Sequence, residues 1–184
     1  RGSITAGGYD FLCNSAGRRS IMFSGMPGTG KTTALRAVLV EPLPQSLRQI
    51  IIESDPECPV PPHGLRLISN DKSSFNKLIE RSFRLLPEIL VVAEIMDAEN
   101  AFAMARAARA CVGMSSIHAR NALMAPGQLQ ELGKKAGGIP ARDIALACEI
   151  VVQMEKDGKG GRRVSEIVTI GVKDEEFVVE DRIY

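Results

Sequence analysis

The sequence has no long apolar run and no excess of one charge. None of its apolar runs approaches the roughly 20 residues needed to cross a bilayer, and the first residues lack the apolar core of a signal peptide. Lysine plus arginine (23) nearly balances aspartate plus glutamate (22), which argues against a surface built to bind nucleic acid or an anionic membrane. We therefore expect a cytoplasmic chain for which any contact with a membrane would be made through a partner protein.

Paired cysteines are also absent. The four cysteines are Cys13, Cys58, Cys111 and Cys148. They form no C-x-x-C pair, which argues against a structural zinc site and against a small disulfide scaffold. A length of 184 residues suits one domain with a sizeable core, so residues 1–184 are predicted to form a single domain. Because the chain begins at Arg1 rather than at methionine, we expect it to be one domain of a longer protein, although a processed or trimmed chain would begin in the same way.

Short apolar strands alternate with amphipathic helices over most of the chain. Strands are predicted at 20–25, 48–53, 88–94 and 113–118, with helices at 29–40, 73–86 and 97–110. This alternation predicts an α/β fold with a mostly parallel sheet flanked by helices. In the helix 73–86, one side is predicted to be apolar: Phe75, Leu78, Ile79, Phe83 and Leu86.

The last third of the chain follows a different pattern. Pro126 is expected to interrupt or reset a helix that begins near residue 121, and Pro140 is expected to start another helix. The segments "IVVQME", "RRVSEIVTIGV" and "EEFVVEDRIY" then predict strands, separated by "KDGKGG" and "KD". Such short connections are typical of a C-terminal antiparallel hairpin region.

A glycine-rich loop, "GMPGTGKTT", joins the first predicted strand to the next helix and matches G-x-x-x-x-G-K-[ST]. Its glycines allow backbone N–H groups to surround phosphate oxygens, and the helix N-terminus adds its positive dipole end. Lys31 would reach the β and γ phosphates, and Thr32 would offer its hydroxyl to Mg²⁺. The predicted nucleotide-binding residues are Gly25, Met26, Pro27, Gly28, Thr29, Gly30, Lys31, Thr32 and Thr33.

The alternative interpretation of this loop is a glycine-rich turn that happens to precede a lysine. A strand before the loop and a helix after it favour the phosphate-binding interpretation. The guanine-reading pattern Asn-Lys-x-Asp is absent, because Asn76 and Lys77 are followed by Leu78 and Ile79. We therefore predict ATP as the nucleotide, bound together with Mg²⁺.

Carboxylates follow two of the apolar strands, at the sheet edge where ligands of parallel sheets bind. Glu94 ends the run "ILVVAE" and is predicted to help hold the metal and to position the attacking water. Asp97 is predicted to cap the next helix instead. Glu53, Asp55 and Glu57 follow the second strand and are predicted to face the metal. Each of these acids could instead be an ordinary solvated side chain.

Together, these stretches resemble the secretion ATPase superfamily. Its members are the hexameric motors of type II and type IV secretion, of type IV and Tad pili, and of archaeal flagella. The likeness runs from about Gly25 to Val172 and includes four motifs in order: "FSGMPGTGKTTAL", "IIIESDPE", "ILVVAE" and "GMSSIHARN". The segment "GRRVSEIVTI" is similar to the closing hairpin of the conjugation-type and Tad-type members, and the four-cysteine zinc insert of the type II branch is absent.

The resemblance implies a RecA-like P-loop NTPase core and a role for each motif. Gly25 to Thr33 would be the Walker A loop, and the three acids after the second strand would form the Asp box. Glu94 would be the Walker B glutamate that activates water. His118 would be the His-box residue that senses or contacts the nucleotide, and Arg81 and Arg84 would complete a site between subunits. Without the resemblance, a lone histidine at a strand end is more often an ordinary core or surface residue, and the arginines would be exposed helix residues.

The sequence departs from the family pattern in three respects. Met96 replaces an arginine that usually follows the Walker B glutamate, and Ser54 separates Glu53 from Asp55 where the family has adjacent Glu-Asp. The N-terminal domain that precedes the motor domain in family members is not part of this chain.

These features predict a Mg²⁺-dependent ATPase that powers a secretion, conjugation or pilus-assembly machine. A homo-hexamer is expected, with inner-membrane machinery proteins as partners and nucleic acid not expected as a direct ligand. One alternative is a nucleic-acid-dependent P-loop ATPase, which shares the fold and the loop, although the near-neutral charge counts against it. Another is a nucleotide-binding regulatory module with weak hydrolysis, for which Met96 and the altered acidic box leave room.

Overall fold

Eight strands form one sheet in the part of the chain that this computed structural model describes, residues 3–69 and 72–184. In chain order the strands are β1 (Ile21–Ser24), β2 (Gln49–Glu53), β3 (Leu65–Ile68), β4 (Ile89–Val92), β5 (Val112–Ile117), β6 (Ile150–Lys156), β7 (Arg162–Lys173) and β8 (Glu176–Arg182). Side by side, their order is β3-β2-β4-β5-β1-β6-β7-β8. Neighbouring strands from β3 across to β6 are parallel, and β7 and β8 continue the sheet in antiparallel pairing. The predicted α/β class and the antiparallel C-terminal region are confirmed.

Helices connect the parallel strands and cover both faces of the sheet. They are α1 (Ala6–Ser15), α2 (Lys31–Val40), α3 (Lys72–Ser82), α4 (Ala98–Ala107), α5 (Met124–Lys134) and α6 (Ala141–Ala147), and a 3₁₀ turn, Phe83–Leu85, extends α3. Asp97 caps α4 as predicted, because its Oδ1 accepts the backbone N–H of Asn100 at 2.8 Å.

The core has two halves, one on each face of the sheet. On one face, Ile21 and Phe23 of β1 pack with α1 and α2. Met22, between them in sequence, points to the other face and joins a cluster that includes α3 to α6. Side chains of a strand alternate between the two faces, so a strand covered on both sides must be apolar throughout. The continuous apolar runs in the sequence therefore mark the interior of a three-layer fold.

Two elements were not predicted from the sequence. One is α1, whose N-cap Thr5 accepts the backbone N–H of Gly8 at 3.2 Å. The other is β3, an edge strand whose residues Leu65 and Ile68 are exposed. In chain order β3 is the third strand and β4 the fourth. The predicted Walker B carboxylate, Glu94, therefore follows the fourth strand of the chain and not the third.

One prediction about a helix end was wrong. The helix predicted to reach residue 86 ends at Ser82, and Leu86 has φ 52° and is 73% exposed rather than buried. Pro87 explains this ending, because a proline disfavours helical geometry in the residue before it. Pro126 does not interrupt α5, which begins at Met124 and not near residue 121, so of the two predicted effects the reset is the one observed. The proline lies in the first turn of α5, where a missing N–H costs nothing.

Candidate functional site

The predicted site residues meet where the parallel strands end. In the sheet register, Ser24 at the end of β1 lies beside Ile117 of β5, and Val92 at the end of β4 lies beside Ser115 of β5. The residues that immediately follow these strands therefore lie at one edge of the sheet: Gly25 after β1, Glu94 after β4 and His118 after β5. This is the edge where parallel α/β sheets bind their ligands.

The glycine-rich loop between β1 and α2 is a compact turn. The backbone N–H of Thr29 donates to the Met26 carbonyl at 3.3 Å, and the Thr29 hydroxyl donates to the same oxygen at 2.8 Å. Pro27 and Gly28 form the corner of this turn, and Gly28 has φ 75°, which a residue with a side chain rarely adopts. The hydrogen bonds from Thr29 to the Met26 carbonyl thus hold this turn of the loop closed.

Gly25 and Gly30 cannot be replaced without moving the loop. A Cβ on Gly25 would lie 2.5 Å from the Met154 carbonyl oxygen of β6, because the loop begins in close contact with that strand. Gly30 is the N-cap of α2 with φ 95°, and it offers no side-chain oxygen to the first turn of the helix. The first N–H groups of α2 are therefore left available for an anion.

Lys31, His118 and Glu94 form a continuous hydrogen-bonded line at the mouth of the loop. The ammonium Nζ of Lys31 lies 2.9 Å from Nδ1 of His118, and Nε2 of His118 lies 2.9 Å from Oε1 of Glu94. Lys31 is only 5% exposed, whereas the His118 and Glu94 side chains are 44% and 38% exposed. The structure therefore brings together three of the five predicted catalytic residues.

The chemistry of this line favours one tautomer of His118. A lysine ammonium can only donate, so Nδ1 of His118 accepts from a charged Lys31 and Nε2 carries the proton. The Gly25 carbonyl oxygen, 3.3 Å from the same Nδ1, receives no proton in this arrangement. Nε2–H then donates to the carboxylate of Glu94. Burial lowers the pKa of Lys31 below the ordinary lysine value, and the negative charge of Glu94 acts in the opposite direction. A neutral imidazole thus separates a cation from an anion that would otherwise pair directly.

An acidic cavity of about 380 Å³ opens beside Thr32. Its carboxylate-bearing lining residues are Glu53, Asp55, Glu57, Glu94 and Asp97, and none of the lysines and arginines whose side chains the structure describes lines it. In residues 3–69 and 72–184, no three His, Cys, Asp or Glu side chains converge closely enough to hold a metal ion by themselves. A cation here would need further ligands beyond the protein carboxylates.

Both oxygens of Glu53 already have protein partners. Oε1 lies 2.8 Å from the Nε of Arg66, and Oε2 accepts the backbone N–H groups of Glu57 at 3.2 Å and Cys58 at 3.0 Å. Glu53 is 2% exposed, whereas Asp55 is exposed at the cavity. The structure therefore gives Glu53 a role in holding the loop after β2, and its assignment as a metal ligand stays a prediction.

Replacing Glu53 is expected to affect stability more than metal binding. Glu53→Gln should lower the free energy of unfolding by roughly 3 kcal/mol, the lower end of the range for a broken buried ion pair, because Arg66 is partly exposed and can recover water. Urea unfolding measures this cost. Asp55→Asn is the matched control, since it removes a carboxylate from the same cavity and should leave the urea midpoint unchanged. Equal midpoints for the two variants would contradict the structural role of Glu53.

Arg81 and Arg84 lie apart from this cavity. Both are exposed at the end of α3, where they line a separate surface depression with Lys77 and Glu80. The two arginines do not line the cavity beside Thr32. Their predicted role in a site between subunits stays a prediction.

Features that the sequence analysis missed lie on the other side of the loop. An apolar cavity of about 270 Å³ opens next to Gly30 and Thr33, between α1, α2 and the β6–β7 pair, and Tyr9 and Arg162 contribute to its wall. Lys156 lies against Gly28 from the end of β6. No local sequence signal marks these contacts, because they depend on the pairing of β6 with β1.

The strand order, the phosphate-type loop after β1 and the carboxylate after β4 define the class: a RecA-like P-loop protein. Residues 13–156 match the family described as "Type II/IV secretion system protein", and the chain belongs to this family. No helix in residues 3–69 or 72–184 is long and apolar enough to span a membrane.

Individual relatives agree with this assignment. The conjugal transfer protein TrbB of Rhizobium radiobacter is 29% identical over 170 residues, which cover 89% of this chain and 52% of TrbB. The solved VirB11 ATPase of the Brucella suis type IV secretion system, in complex with sulphate, has a TM-score of 0.75 at 24% identity and covers 88% of this chain and 51% of VirB11. The pilus retraction motor PilT with bound ADP has a TM-score of 0.62 at 16% identity, over 92% of this chain and 49% of PilT. The chain spans about half the length of these relatives.

Proposed function

We propose that this chain binds ATP with Mg²⁺ and hydrolyses it to power a secretion, conjugation or pilus-assembly machine. The observation that carries the proposal is the hydrogen-bonded line from Lys31 through His118 to Glu94, which joins the phosphate loop to the carboxylate after β4. Membership of the type II/IV secretion family supports it. So do the names of relatives, which include a conjugal transfer protein and a type IV secretion ATPase.

The residues present fit a triphosphate and its metal. The glycines leave no side chain in the loop's path, and the first turn of α2 has free N–H groups for phosphate oxygens. Thr32 is at the boundary between the loop and the acidic cavity, so its hydroxyl could serve Mg²⁺ together with Asp55 and Glu94. When bound, Mg²⁺ would neutralise charge on the phosphates.

The apolar cavity next to Gly30 and Thr33 favours a nucleotide over a bare phosphate compound. Sites for small ligands are mostly apolar with few polar groups, and an aromatic base suits such a cavity. The cavity adjoins the loop through Thr33, on the opposite side of α2 from the acids. We therefore place the base beside Ala34 and Ala37 and the terminal phosphate towards Glu94.

Filling that cavity provides a test of the base position. Ala37→Leu adds a branched side chain on the exposed cavity wall of α2. Leucine, like the alanine that it replaces, is a good helix former, so the helix should persist. We expect ATP affinity to fall roughly 10-fold, equivalent to about 1.4 kcal/mol, because the base loses its contact surface. Binding of inorganic tripolyphosphate, measured by calorimetry, should not change. An equal loss for both ligands would contradict this position of the base.

For turnover, Glu94 is proposed to orient the attacking water and take its proton. His118 would hold Glu94 through Nε2–H and would respond when Lys31 moves from its nitrogen to a phosphate. Arg81 and Arg84 are proposed to act on the nucleotide of a neighbouring subunit. This arrangement needs a ring, so we propose a homo-hexamer at the inner face of the cell membrane, in which residues 1–184 form one motor domain of a longer protein.

ATP turnover beside a Lys31→Ala variant tests the proposal directly. The wild-type chain is followed over a concentration series while light scattering reports assembly, and turnover per chain should rise with assembly. Lys31→Ala should abolish both nucleotide binding and turnover, because a buried cation is removed from the phosphate site. Tight binding without turnover in assembled rings would support a regulatory module instead, and turnover stimulated by DNA at low salt would support a nucleic-acid-dependent ATPase.

A further inference from the structure

We infer that Lys156 and Arg162, at the base of the β6–β7 hairpin, form a second cationic contact with the phosphate chain of the bound nucleotide. This inference rests on the proposed function, because it assumes a phosphorylated ligand in the loop. It adds a binding role for two residues outside the four motifs of the sequence.

The two side chains lie directly against the loop. Nζ of Lys156 is 3.2 Å from the position that a Cβ on Gly28 would occupy, and Cδ of Arg162 is 3.0 Å from the corresponding position on Gly30. The sheet register explains this placement. Gln153 of β6 pairs with Ser24 of β1, so Lys156, three residues further along, comes alongside the loop that follows Ser24.

Lys156 and Arg162 also face each other across the hairpin. They are a directly opposed pair in the β6–β7 register, and like charges in such a position destabilise a sheet. Both side chains are exposed, and neither forms an ion pair with any side chain of residues 3–69 or 72–184. The next opposed pair, Glu155 and Arg163, by contrast has opposite charges. An anion at the loop would relieve the repulsion between Lys156 and Arg162.

The turn between the two strands is organised so that its own acid does not neutralise Lys156. Oδ1 of Asp157 accepts the backbone N–H groups of Lys159 at 2.9 Å and Gly161 at 2.6 Å. The backbone N–H of Asp157 donates to the Gly161 carbonyl at 2.9 Å. The carboxylate is thus held inside the turn, and the strand ends that carry the two cations are fixed relative to the loop.

The charge distribution of the site makes a second cation useful. The cavity on the Thr32 side is lined by acids, and Lys31 is the buried cation of the loop itself. A triphosphate carries more negative charge than one Mg²⁺ and one lysine neutralise. Lys156 and Arg162 approach from the other side of the loop, so they can contact phosphate oxygens without competing with the metal for the acidic wall.

Binding of inorganic tripolyphosphate to the whole chain tests this inference, because the probe has phosphates and no base. Lys156→Met keeps the length of the side chain and removes its charge, and it should weaken binding roughly 10-fold. Lys156→Arg should bind within about threefold of wild type, since the charge is restored. Lys159→Met is the matched control, an exposed lysine in the same turn, and should bind as wild type does.

A second readout separates phosphate binding from a merely structural role. Without ligand, Lys156→Met should raise the thermal unfolding midpoint, because the repulsion with Arg162 is removed. A residue that only packs against the loop would lower the midpoint when changed. Loss of affinity together with a gain in stability is therefore the expected signature.

The inference is overturned if Lys156→Met binds tripolyphosphate as tightly as wild type, or if Lys159→Met loses the same affinity. Either result leaves the proposed function standing, provided that Lys31→Ala abolishes binding. If the wild-type chain binds ATP but not tripolyphosphate, this inference fails and the proposed function stands. If the wild-type chain binds neither, or if Lys31→Ala binds both unchanged, the proposed function and this inference both fail.

Discussion

Glu94→Gln is expected to lower kcat for ATP hydrolysis by roughly 10²- to 10⁴-fold, the usual contribution of a positioned general base. Affinity for ATP should stay within a few-fold of wild type. The glutamine side chain keeps an oxygen that can accept the Nε2–H of His118, so the line from Lys31 to residue 94 can persist without the negative charge. The variant thus removes a proton acceptor and little else.

Asp97→Asn is the control that makes this result specific. Asp97 lines the same cavity, and asparagine caps a helix about as well as aspartate, so the substitution removes the same charge without unfolding α4. Single-turnover hydrolysis and nucleotide affinity are measured for both variants. We expect Asp97→Asn to retain kcat within a few-fold. A similar loss in both variants would mean that the cavity needs negative charge in general, and a full kcat in Glu94→Gln would remove Glu94 from the reaction.

The parts of the site that the sequence predicted are those determined locally. The loop motif includes its own turn residues, and the buried run before Glu94 sets the position of that carboxylate at a strand end. His118 required the resemblance, because one histidine after a strand has no pattern of its own. The strand register then explains why the histidine reaches both Lys31 and Glu94.

The parts that the sequence did not predict depend on long-range pairing. The pairing of Glu53 with Arg66 was not predicted, because Arg66 lies in β3, a short edge strand with a weak apolar signal. Lys156 and Arg162 belong to no motif, and only the pairing of β6 with β1 brings them to the loop. In each case a charged residue acquires its role from a strand neighbour distant in sequence.

Arg81→Ala and Arg84→Ala test whether the site is shared between subunits. We expect one of them to lower ATP turnover by roughly 10³- to 10⁵-fold, the range for an arginine that stabilises transferring phosphate charge. Both arginines are exposed, and neither lines the cavity beside Thr32. Since they lie apart from this cavity, we expect their effect to appear only in assembled protein. Lys77→Ala removes a cation from the same surface depression and should retain turnover.

Mixing two inactive variants then distinguishes a shared site from a simple defect. A subunit with the affected arginine replaced still has Glu94, and a Glu94→Gln subunit still has both arginines. Where these two kinds of subunit are neighbours in the right order, the site between them is complete. Glu94 comes from the arginine-substituted subunit, and the arginine comes from the Glu94→Gln subunit. Mixed rings should therefore regain part of the turnover that neither variant has alone. Light scattering with differently sized fusions would show whether mixed rings form. If they form and no turnover returns, the arginines act within their own chain or not at all. The ring would then have no role in completing the site.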